Sequence, residues 1–199
     1  MSDPQDVLGF WFGELDSLGR ASRDRSARWW EKDLAFDARI RERFGALHGA
    51  VMRGEHEAWR DTARGALAYV IVLDQFSRNM FRDTARAFEG DERALDAALA
   101  GLEREQDRTL AFAERGFFYM PLMHSEELAH QERCVELFAA LEREVAPDLR
   151  PDARYMLGFA ERHRDIVRRF GRFPHRNSAL GRTSTAEEIE FLREPGSSF

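Results

Sequence analysis

The chain has 199 residues, 43% hydrophobic and 33% charged, with 12% aromatics, a composition that excludes intrinsic disorder and allows a substantial core. Its formal net charge of −6 argues against non-specific binding to nucleic acid or to an anionic membrane. Lys32 is the sole lysine, so arginine is the default cation of this chain and an arginine cluster carries less information than usual.

The elements read almost entirely as helix. Phe36, Ile40, Phe44, Leu47 and Val51 recur at helical spacing and form one apolar stripe. Asp61 is placed to cap the next helix, whose run Ala66–Leu73 is apolar nearly all round and is therefore expected at the centre. Asp91–Arg104 is alanine-rich, with Leu95, Leu99 and Leu102 on one face. Leu110, Phe112, Phe117 and Phe118 follow, until Pro121 interferes with helix continuation. Ser125 is a candidate cap for a helix that carries Leu128, Val135, Phe138, Leu141 and Val145 to the Ala146-Pro147 boundary. Asp152 begins another, burying Met156, Phe159, Ile166, Val167 and Phe170, and Gly171 with Pro174 ends it. Ser184 with Glu187 reads as a capping box ahead of Ile189, Phe191 and Leu192. Period-two alternation is absent, so no significant sheet is expected. No linker composition divides residues 1–199, which predicts a single all-helical domain, an array of antiparallel helix pairs.

Cys134 is the only cysteine, so no intrachain disulfide can form and a cytoplasmic setting is expected. The first residues lack the pattern of a signal peptide, and no apolar run is long enough to span a bilayer. Nucleophile-elbow, phosphate-loop and dinucleotide fingerprints are absent, so no cofactor is expected.

Four polar clusters carry the chemistry. In the first, Asp74, Arg78, Asn79 and Arg82 follow the most apolar helix. They read either as a cradle for a phosphate or carboxylate or as ion pairs pinning a loop to the core. In the second, Glu127 and His130 form half of a di-metal carboxylate motif near His124, but the other half is missing, so no metal is expected. The third is His163, inside an apolar stripe: a satisfied core histidine, or a buried base. The fourth is the turn Arg172, His175, Arg176 and Asn177, which either binds a ligand or caps the preceding helix.

The segments FWFGELD, RWWEKDLAFDARIRERFG, VLDQFSRNMFRDTARAF, MHSEELAHQERCVELF and RFGRFPHRNSALGRTSTAEEIEFL resemble the bacterial family called domain of unknown function 924, across essentially the whole chain. The resemblance implies an all-helical fold similar to tetratricopeptide-repeat proteins and supplies no reaction. Ser77 stands where relatives more often carry proline, Asp83 and Ala85 lie where glycine and proline are common, and Met123 takes a position that is often Glu.

These readings converge on one expectation. The 74–86 and 163–177 segments should meet His124 in a polar pocket walled by Phe and Trp. Arg78, Arg82, Arg172 and Arg176 would bind an anion, Asn79 and Asn177 would orient it, and Asp74 and Asp165 would hold the arginines. The partner would be a small anionic ligand or a peptide carboxylate. An enzyme using His124, His163 or His175 as acid or base is one alternative, and a protein whose clusters are internal clips is another. The tail Pro195–Phe199 would suit an Arg-lined groove in its own or a neighbouring subunit, the latter giving a homodimer.

Overall fold

A computed structural model describes residues 3–198. It is all-α, as the periodicity predicts. Among the described residues the only β feature is an isolated antiparallel bridge between Leu15 and Ala21. The helices are α1 (Pro4–Phe12), α2 (Arg23–Trp30), α3 (Leu34–Met52), α4 (Ala63–Val70), α5 (Ser77–Met80), α6 (Asp91–Glu103), α7 (Phe112–His124), α8 (Leu128–Glu144), α9 (Arg150–Phe170) and α10 (Ala186–Phe191). α6 packs on α7, α7 on α8 and α8 on α9, the sequential contact an array of helix pairs requires.

The apolar run Ala66–Leu73 is at the centre, with every residue no more than 1% exposed. It is surrounded by α1, α3, α6 and α7, which is why no polar face is present in its sequence. Ile71–Phe76 is a π-helical turn joining α4 to α5. Its wider winding shifts the following face by about 100° relative to an uninterrupted α-helix. An aromatic cluster of Phe10, Trp11, Trp29, Phe36, Phe76 and Phe117 ties α1, α2 and α3 to this centre.

Several local expectations shift. Pro121 lies inside α7 rather than ending it. It removes one backbone hydrogen bond near the end of the helix, and burial of Gly116–Met123 outweighs that loss. Thr62, not Asp61, caps α4, accepting from the Gly65 N–H at 3.2 Å. Ser125 accepts from Glu127 N at 3.2 Å, but α8 begins only at Leu128. The last capping box is Thr185 with Glu188, one residue beyond the Ser184–Glu187 pair. α1 and α2 are additional to the elements read from periodicity. The apolar tip of the proposed tail, Phe199, lies outside the described residues.

Candidate functional site

The π-helical turn places Asp74 in the interior, at 0% exposure. Opposite it, a Cβ on Gly90 would meet the Leu73 carbonyl oxygen at 2.5 Å, so only glycine lets the 85–90 turn come this close. That approach sets Asp91, the first residue of α6, against Arg78. His124 is the last residue of α7, and His163 lies on α9. Gly171, at φ +68°, ends α9 in the left-handed conformation and returns the chain through Phe173–Asn177.

These turns assemble one connected cluster. Asp74 accepts from His124 Nδ1 at 2.6 Å and pairs with Arg78 at 2.9 Å. Arg78 grips Asp91 with both terminal nitrogens, at 2.8 and 3.0 Å. Arg176 reaches the same carboxylate at 3.3 Å, while its guanidinium lies over the Phe88 and Phe173 rings at 4.8 and 4.6 Å. The His124 and His163 rings are 6.4 Å apart, and His163 packs edge-on to Phe173. The 74–78, 163 and 173–176 regions therefore do meet at His124.

Burial and neighbouring charge set the protonation states. Burial alone would raise Asp74, but Arg78 and the His124 hydrogen bond hold it well below the usual carboxylate range. His124 is pushed down by burial and by Arg78, with Asp74 pulling against them. It is therefore neutral near pH 7, carries its proton on Nδ1 toward Asp74, and leaves Nε2 as the basic nitrogen. His163 donates from Nδ1 to the Phe159 carbonyl at 2.8 Å, and burial lowers it to about 3. His175 is lowered to about 4 by burial and by Arg176. Arg176 is pressed down to about 10 by burial and then by Arg78. It stays charged, but in a poor environment for charge.

The other predicted residues disperse. Arg82 grips Asp37, which also accepts from Asn79 at 2.7 Å, beside a separate hollow of about 340 Å³. Arg172 is held bidentately by Glu188, at 2.6 and 2.8 Å, and Asn177 donates to Glu188 at 3.3 Å. The Asp165 side chain is 58% exposed and pairs with Arg164 and Arg168, so it does not hold the arginines of the turn. α9 points it away from them. Glu127 is 77% exposed, with only a 3.7 Å approach to His130, and takes no part in the cluster. Among the described residues no group of three His, Cys, Asp or Glu side chains is arranged to hold a metal ion.

Sequence reasoning missed the acceptors. Asp37, Asp91, Glu126 and Glu188 complete these networks; Glu126 binds Arg182 at 2.6 and 2.9 Å and accepts from Phe173 N at 2.8 Å. Asp91 and Glu188 stand in the first turns of helices and Glu126 just before one, and nothing local in the sequence marks them as partners of distant arginines.

The chain matches the model of a bacterial protein family of unknown function, DUF924, over residues 7–196. It is similar to the solved structure of a protein of unknown function from Agrobacterium tumefaciens, with 36% identity, a TM-score of 0.80 and 96% of each chain covered. No curated protein matches it.

Proposed function

Because the chain belongs to the bacterial DUF924 family of unknown function, its role rests on its own side chains, and we propose that it binds a small anionic ligand, a carboxylate or phosphate, beside Arg176. The observation that carries this reading is the state of Arg176. It is only 6% exposed, has a single 3.3 Å contact to a carboxylate shared with Arg78, and its Nε has no hydrogen-bond partner among the described residues. A buried donor without an acceptor costs about 1–3 kcal/mol, which an anion accepting from it would recover. Arg78 and Asp91, 20% and 21% exposed, form the edge by which a ligand would arrive. A peptide C-terminus offers the same carboxylate chemistry. A cytoplasmic setting accords with Cys134, which is fully buried and whose thiol is pushed up by burial; no described helix is long and apolar enough to cross a membrane.

Thermal denaturation against orthophosphate, small carboxylates and phosphorylated metabolites tests the reading. A ligand at about 100 times its Kd adds roughly 2.7 kcal/mol. A stabilising anion whose effect vanishes in Arg176→Gln is expected; no shift across the panel, or a shift that survives the substitution, refutes it.

The Asp74–His124 hydrogen bond favours a second reading, an acid–base enzyme acting on the same anion. A carboxylate that fixes a neutral imidazole's tautomer leaves Nε2 able to take a proton. Turnover of a bound anion that collapses in His124→Gln while binding persists would establish it. Binding without turnover leaves the binding protein.

A further inference from the structure

A second candidate lies between α1, α2 and α3, against Phe10 of the aromatic cluster. An open hollow of about 750 Å³ is lined there by Arg25 and Arg28 from α2, Arg39 and Arg43 from α3, and Gln5 and Phe10 from α1. Asp6 and Glu42 also line it, so four guanidinium groups face two carboxylates. The size is that of a small-molecule site.

What sets these arginines apart is how they are held. Most arginines of this chain pair with a carboxylate, as the inner cluster does. In the groove, among the described residues, only Arg43 has one, Asp6 at 3.7 Å. Arg25 donates to the Phe10 carbonyl at 2.7 Å, which fixes its head group without neutralising it. Arg43 lies over Phe10 and Phe44 at 5.4 and 5.0 Å, and Arg39 over Phe36 at 5.5 Å. Arg28 has no hydrogen-bonded, ionic or ring partner among the described residues; with Arg39 it acts on Asp33 only at longer range. Asp33 itself is engaged in capping α3 through Ala35 N and Phe36 N. A carbonyl thus aims Arg25 and a ring Arg39 while leaving their charge unspent, and Arg28 stands beside them with no close partner among the described residues.

The spacing adds to this. Arg39 and Arg43 are four residues apart on α3, and Arg25 and Arg28 three apart on α2. Each pair is separated by about one helical turn, roughly 5 Å. Two such pairs on the walls of one groove suit several linked anionic groups better than one. Phe10 is the one large apolar side chain among the lining residues, so the groove lacks the series of side-chain pockets by which an acidic peptide would be recognised. In a molecule of net charge −6, a local excess of positive charge also concentrates polyanions.

We infer that this groove is a binding site for a small polyphosphate-bearing ligand, held by Arg25, Arg28, Arg39 and Arg43. The inference is independent of the Arg176 reading, since no residue is shared.

Calorimetric titration of the full chain with inorganic tripolyphosphate is the test, run beside orthophosphate and hexaglutamate. The expected result is saturable binding of tripolyphosphate, at least about tenfold tighter than orthophosphate, that weakens steeply with salt. The R28Q/R39Q double variant should lose about tenfold or more, while Arg108→Gln, an exposed arginine outside both sites, should bind as the unmodified protein does. Both substituted arginines are partly or fully exposed, and an unchanged melting temperature verifies the fold. No saturable binding, equal binding by the double variant, or tighter binding of hexaglutamate than of tripolyphosphate would overturn the proposal.

Discussion

The inner cluster and the outer groove both concentrate arginine, yet they treat it in opposite ways. In the inner cluster Arg78 is enclosed by Asp74 and Asp91, and beyond it Arg182 is closed by Glu126 and Arg172 by Glu188. In the groove Arg25, Arg28 and Arg39 have no carboxylate partner among the described residues; a main-chain carbonyl positions Arg25 and an aromatic face positions Arg39. Where arginine is the default cation, its presence marks little. What marks a site is a guanidinium that is positioned but not neutralised. By that criterion Arg176 stands between the two regions: buried like the first, under-compensated like the second.

The sharpest way to break the comparison is to remove an acceptor from the inner cluster. Asp74→Ala leaves Arg78 with one carboxylate instead of two and deprives His124 Nδ1 of its acceptor, all at a fully buried position. Breaking such a buried network should cost about 3–5 kcal/mol, read as a lower urea midpoint with the slope unchanged. A loss below about 1 kcal/mol would mean that water reaches these groups freely and that the cluster is no clip.

Acid should separate the regions next. His163 and His175 are lowered to about 3 and 4, chiefly by burial, from an ordinary value of 6.5. Between about pH 6.5 and 4 the unfolded chain therefore binds protons that the folded chain refuses. Their contribution to stability is complete above about pH 6.5 and is lost as the pH falls, by up to about 1.4 kcal/mol per pH unit for each imidazole. His124 and His48, also lowered by burial, act in the same direction. Urea unfolding at a series of pH values should show this slope, and His163→Gln should flatten it by roughly one proton's worth. The groove is lined by no histidine, so its variants should leave the slope unchanged.

How far the sequence foretold this architecture depended on whether the signal was local. The stripe Phe36–Val51 and the all-round apolar run Ala66–Leu73 state their helices and their burial directly, because helical period and core position are written in consecutive residues. The meeting of Asp74, His124, His163 and Arg176 was legible as a set of polar groups at helix exits. Their pairings were not, because Asp37 and Glu126 meet their arginines through contacts 45 and 56 residues away in sequence. Asp165 misled because it neighbours the turn in sequence but projects elsewhere on α9. The groove went unseen for the same reason in stronger form. α1 and α2 are too short for a clear period, and arginines at 25, 28, 39 and 43 look like solvated charge until three helices bring them together.

The smallest expected effect is the most discriminating. Replacing Arg28 and Arg39 together by glutamine should leave thermal stability nearly unchanged, because the folded state loses only their longer-range attraction to Asp33 and the Arg39 contact over Phe36, and no ion pair. Phe36 keeps its burial without the guanidinium above it, since the ring is held by Phe10 and Trp11. A marked fall in melting temperature would instead show that these arginines tie α2 to α3. The groove's arginines would then be spent within the fold, as Arg78 is by Asp74 and Asp91, and the distinction between the two regions would disappear.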